Sequence, residues 1–239
     1  MTRRRTRSAD DSRLRAWVAD YVYATRRQLA HLARRHAVPT GRGGRAPVVL
    51  LPGIYETWEF LHPAASVLAR AGHPVHVVPE LGHNRRPVLE GAELTSAFLE
   101  RADLRGTVLV AHSKGGLIGK RVMLTAGADR VTGMVAIATP FAGSRWARYV
   151  LGRSLRSFAP DDPVLLALAG ELLVNERITT VYPRFDPHIP ETGNLPGARN
   201  VELPLSGHFR PLGDPVLLDV VVREVARLAD GDPSAAQPG

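Results

Sequence analysis

The chain has 239 residues, 44% of them hydrophobic, with no cysteine and a formal net charge of +8. That length suits one large domain or two small ones, the lack of cysteine excludes disulfides and thiolate chemistry, and no apolar run approaches the roughly eighteen residues of a membrane-spanning helix. The charge is unevenly placed: residues 1–45 hold 12 Arg and 3 Asp, and the remainder is close to neutral. A nucleic-acid enzyme would spread Lys and Arg over a working face with aromatics between them. Nothing of that kind follows residue 45, so no nucleic-acid partner is expected.

The first residues, Met1 to Arg7, have the charge of a secretion-signal start, but a polar acidic stretch follows instead of an apolar run. No cleavable signal is read there; residues 1–12 are expected to lack order and the protein to be cytoplasmic. From Ser12 to Ala37, Leu14, Trp17, Val18, Tyr21, Val22, Leu29 and Leu32 recur at helical spacing, and Arg13, Arg15, Arg26, Arg27, Arg34 and Arg35 take much of the remaining surface. Such a helix either docks on its own domain or lies against an anionic membrane through residues 12–37. Pro39 to Pro47, rich in Gly and Arg, reads as a link. Residues 1–45 are therefore a basic N-terminal segment, 46–229 the main domain, and 230–239 a flexible tail.

Within the main domain, Val48 to Leu51 is a short apolar strand ended by Pro52 and Gly53, and a helix from His62 to Ala71 stops at Gly72. A strand over 74–79, a helix over 90–103, a strand over 107–111, a helix over 114–127 and a strand over 131–138 follow. After an irregular stretch at 145–161, Asp162 caps a helix with Pro163 at its first position. Two short strands, 177–182 and 200–203, precede Asp214 and Pro215, which repeat the cap signal and open a last helix to Ala229. This alternation predicts an α/β fold: a mostly parallel sheet of about six strands, helices on both faces, and a small cap at 141–175. Functional groups in such sheets lie at the carboxyl ends of the strands, and Gly53, Glu80, Ser113, Thr139, Asp186 and His208 all fall there.

The stretch from Thr107 to Arg121 organises the rest. Its first half is an apolar β-branched strand and its second half a helix, with no room for a loop between them. A strand that turns into a helix across one residue forces that residue, Ser113, into a strained protruding conformation, and the small Ala111 and Gly115 on either side avoid a clash. The hydroxyl is then raised at a helix N-terminus, where free N–H groups and the helix dipole favour negative charge. The glycine patterns of phosphate and dinucleotide loops are absent here, so a nucleophile for acyl transfer is the better reading than a phosphate cradle.

With that turn, the Pro52-Gly53 turn and the later Asp and His in place, the sequence resembles the α/β-hydrolase family, and within it compact bacterial lipases and carboxylesterases. The matching segments are Leu50–Ile54, Pro79–His83, Val110–Gly116, Ile137–Gly143 and Ser206–His208, in the family's order over residues 48–229. Ala111 stands where Gly is usual, and Pro52-Gly53 where His-Gly is common. The N-terminal helix lies outside the match.

The resemblance implies a Ser113–His208–Asp186 triad. His208 sits in the loop between the last strand and the last helix, where the family places its base; His188 comes too early. Asp186 follows the penultimate strand, whereas Asp161, Asp162 and Asp214 look like helix caps and Glu191 is the nearest rival. Two N–H donors would hold the oxyanion, one from Lys114 and one from Ile54, with Tyr55 second. The Lys114 side chain is given no part in the chemistry. Tyr55, Trp58, Phe141 and Trp146 are candidates for a substrate pocket, although aromatics there are as often ordinary core. His62, His73, His76, His83 and His112 show no metal-ligand spacing, so no metal or other cofactor is expected. The expected activity is hydrolysis of a carboxylic ester, a lipid ester before a sugar ester. An acyltransferase or thioesterase on the same triad, or an idle body with a membrane- or partner-binding helix, are the alternatives.

Overall fold

The structure, a computed structural model, describes residues 17–28, 37–41, 43–149, 153–191 and 193–231. The expectations for residues 1–16 and 29–36, including Leu14, Leu29 and Leu32 of the expected helix, and for nearly all of the tail lie outside these. Residues 17–28 are helical (α1). The sheet contains β1 (Val48–Leu51), β2 (Val75–Val77), β3 (Thr107–His112), β4 (Val131–Ile137), β5 (Ile178–Phe185) and β6 (Arg199–Ser206), in the order β2-β1-β3-β4-β5-β6. Every pairing is parallel. The helices between them are α2 (His62–Arg70), α3 (Val88–Arg101), α4 (Lys114–Met123), α5 (Arg153–Arg156), α6 (Pro163–Gly170) and α7 (Pro215–Ala229).

The strands are apolar on both sides because both faces of the sheet are covered. Val49, Leu51, Leu109, Ala111, Met134 and Ala136 point to one core, filled from α3, α4 and α6 by Leu99, Leu117, Ile118 and Leu165. The alternate residues Val48, Leu50, Val108, Val110, Val135 and Ile137 point to a second, filled from α2 and α7 by Leu68, Leu217, Val221 and Val225. A one-residue slip of any central strand would exchange the two sets, so the register is strongly fixed.

Both expected caps form: Asp162 accepts from Val164 and Leu165 N–H, and Asp214 from Val216 N–H. The last two strands run longer than expected. They run on past Pro183 and Pro204: β6 is the edge strand, where a missing N–H is tolerated, and the register shift at Pro183 absorbs the other ring. In the opposite sense, α4 stops at Met123, well before Gly127, and closes through turns such as Thr125 N–H to Val122 O. On α1 the Asp20 side chain is buried, while Trp17, Val18, Tyr21 and Val22 are exposed. Among the described residues no helix is long and apolar enough to cross a membrane.

Candidate active site

Ser113 joins β3 directly to α4 with φ 51 and ψ −120. That conformation stores about 1–3 kcal/mol for a residue with a Cβ, and it persists only because its surroundings fix it. The Ser113 N–H donates to Ile137 O at 2.8 Å. On the helix side, a Cβ on Gly115 would lie 2.1 Å from Leu51 O, and one on Gly116 would lie 2.1 Å from Thr139 Oγ1. Two glycines thus let the start of α4 press against the ends of β1 and β4. The hydroxyl is left at the N-terminus of α4, 8% of the residue exposed, where backbone N–H groups favour a developing negative charge.

His208 and Asp186 meet at the same edge of the sheet. The His208 Nδ1–H donates to Asp186 Oδ2 at 2.7 Å, and both residues are buried. The other oxygen, Oδ1, accepts from the N–H groups of His188 and Ile189 at 2.8 and 3.0 Å. The carboxylate is therefore held from both sides, and the His208 ring is anchored through its Nδ1. Glu191, the rival acid, is engaged elsewhere, accepting from Arg145 N–H and pairing with the Arg145 guanidinium.

A second histidine–carboxylate pair lies beneath. His112 is wholly buried, its Nδ1–H donating to Glu56 at 2.8 Å and its Nε2–H to His208 O at 3.1 Å. Both partners only accept, so both ring nitrogens carry protons and His112 is an imidazolium. Burial works against that charge, but the field and hydrogen bond of Glu56, with the His208 carbonyl, outweigh it and raise the His112 pKa. Glu56 also accepts from Gly53 N–H at 2.8 Å. One buried pair thus joins the loop after β1, the residue before Ser113 and the backbone of His208.

The Lys114 side chain is a third tie. It is buried, its Nζ donates to Asn84 O at 2.9 Å and to Arg86 O, and burial lowers its pKa to about 8 although Glu90 pulls upward. Asn84, at φ 48, donates from Nδ2 to Pro52 O at 2.6 Å. The start of α4 and the Pro52 loop are clamped together through residues 84–86.

Of the other residues singled out in the sequence, Ile54 packs against the α4-side core, and Tyr55, at φ 60, is exposed beneath the Arg85 guanidinium. Trp58 packs on the opposite core with α2, and Trp146 is half exposed under Arg145. Phe141 alone of the four aromatic candidates lines the cavity of about 220 Å³ between α4, α6 and residues 194–196, together with Lys120, Leu168, Leu172 and Asn175. His188 stands beside His208, ring centroids 5.1 Å apart, but is not the partner of Asp186 Oδ2. Glu56, Asn84 and the Lys114 ammonium escaped the sequence reading, since each acts on a residue far away in the chain. Among the described residues no group of three or more His, Asp or Glu could hold a metal ion.

No family model matches the sequence. Among solved structures, the mature lipase BlEst2 of Bacillus licheniformis is similar with a TM-score of 0.60 at 13% identity, over 78% of this chain and 96% of that one. The Aspergillus fumigatus lipase B gives 0.62 at 18% identity, over 84% of this chain and 57% of its own. The monoacylglycerol lipase of Paleococcus ferrophilus gives 0.56 at 18%, covering 81% and 97%. At such identities likeness speaks for architecture. Six parallel strands with a serine strained between the third and its helix, superposable on those enzymes, make this the α/β-hydrolase fold.

Proposed function

We propose that the protein is a serine hydrolase of carboxylic esters. The observation that carries this is the 2.7 Å hydrogen bond from His208 to Asp186 at the sheet edge where Ser113 is held in its strained turn. Ser113 Oγ attacks the acyl carbon while His208 Nε2 takes its proton and Asp186 holds the tautomer and stabilises the imidazolium. The N–H of Lys114, with that of Ile54, receives the oxyanion. His208 then returns the proton to the departing alkoxide, and water attacks the acyl-enzyme by the same path in reverse. The similarity in fold to solved lipases favours an ester over an amide.

The test is hydrolysis of p-nitrophenyl esters of several chain lengths by the wild type and by Ser113→Ala. Turnover is expected to fall by about a thousandfold or more. Equal turnover by the two proteins ends the proposal.

A further inference from the structure

Helix α1 lies outside the stretch that carries the family resemblance, yet one of its side chains is built into the loop bearing His208. Asp20 is 0% exposed. Its Oδ1 accepts the N–H groups of Phe209 and Arg210, both at 2.8 Å. On the other side of His208, Gly207 has φ +114, and a Cβ there would sit 2.6 Å from the same Oδ1. The amides of Phe209 and Arg210 therefore converge on one point, the kind of backbone nest that takes an anion, while the Gly207 backbone passes close beside it. Its occupant is the carboxylate of Asp20. Burial opposes the charge on Asp20, but His188 and the amides of Arg210, His208 and Phe209 more than offset it, and the pKa lies below the ordinary carboxylate value.

The other oxygen reaches the acid loop. Asp20 Oδ2 faces His188 Nε2 at 3.6 Å, and neither atom has a hydrogen-bond partner. The His188 ring lies beside that of His208, and the His188 backbone N–H holds Asp186 Oδ1. Tyr21, next to Asp20, packs over the His188 ring at 5.3 Å. One helix thus touches the loop that carries the base and the loop that carries the acid.

We propose that Asp20 is a positioning residue for His208, and that α1 is a brace holding the base loop and the acid loop in register. The proposal rests on the reading of Ser113, Asp186 and His208 as the catalytic groups. Asp20 touches no reacting atom; it acts by fixing the backbone on both sides of His208, so that Nδ1 meets Asp186. A helix that served stability alone would leave turnover untouched in any variant that still folds.

The experiment uses the full chain with Asp20→Ala and Asp20→Asn, read by kcat and KM on p-nitrophenyl butyrate and by the low-field NMR resonance of the His208 Nδ1 proton. Asn keeps an oxygen for the two amides, and Ala does not. The Ala variant should lose about tenfold or more in kcat with KM within about twofold, and its low-field resonance should broaden or vanish. The Asn variant should recover most of both. Wild-type kcat in the Ala variant, or an equal loss in Asn and Ala, overturns the proposal. In the wild type, the amides of Phe209 and Arg210 should exchange slowly with deuterium; fast exchange at either overturns it even if the Ala variant fails to fold. A wild type without Ser113-dependent turnover would sink the hydrolase reading instead, and the NMR comparison would still decide whether Asp20 holds His208.

Discussion

Lys120 is wholly buried on α4 with no hydrogen-bond partner for its Nζ, against the cavity lined by Phe141, Leu168 and Leu195. Desolvation lowers its pKa from the ordinary 10.5 to about 8, against a smaller upward pull from Glu171. Below the lower value the lysine is charged both folded and unfolded, and the folded protein bears the whole desolvation cost. Between the two values the unfolded chain binds more protons, so stability climbs with pH and levels off above the higher one. The size of the effect is about 1.4 kcal/mol per pH unit, or about 3 kcal/mol at neutral pH. Lys120→Met keeps the length and drops the charge. In urea unfolding it should exceed the wild type by about 3 kcal/mol near pH 7 and by only about 1 kcal/mol near pH 9.5. Lys114 is shifted the same way but is present in both proteins, so it cancels from the difference. A variant less stable than wild type at neutral pH, or a lead that stays constant with pH, refutes the reasoning.

Gly115→Ala would drive a Cβ to within 2.1 Å of the Leu51 carbonyl, a backbone atom that cannot move aside cheaply. A loss of about 2–4 kcal/mol in thermal unfolding is expected, and an undisturbed melting temperature would show that α4 does not pack as described. Glu56→Gln tests the buried imidazolium. The raised His112 pKa means that the folded protein holds the extra proton above the ordinary 6.5, so the stabilisation by Glu56 is complete below that value and fades as pH rises through the raised one. The wild type should therefore lead the Gln variant by more in mildly acidic than in alkaline solution, and an equal lead in both would contradict the charge assignment.

The fold was legible wherever the signal is local. Short apolar runs and helical spacing located all six strands and the main helices, and Asp162-Pro163 and Asp214-Pro215 marked two helix starts that the structure reproduces to the residue. The last two strands run past their expected ends at Tyr182 and Leu203 because edge position at β6 and a register shift at β5, both properties of the sheet, let Pro204 and Pro183 be accommodated. The turn at Ser113 could be read because its requirement for small neighbours is also local. What supports it could not. Glu56 meets His112 across 56 positions, Lys114 meets Asn84 across 30, and Asp20 meets Arg210 across 190. No periodicity encodes such meetings, and a buried charge in one sequence looks like any surface charge until its partner arrives.

The reach of Asp20 also sets an order of events during synthesis. Helix α1 is made before the amides that receive its carboxylate, which follow 189 and 190 positions later. At typical ribosomal speeds the carboxylate waits roughly ten to forty seconds for its socket. Until that moment a nascent chain can have most of its sheet assembled while the loop of His208 still lacks the carboxylate that seats it, so on the proposed reading activity waits for residues 209 and 210 to be made.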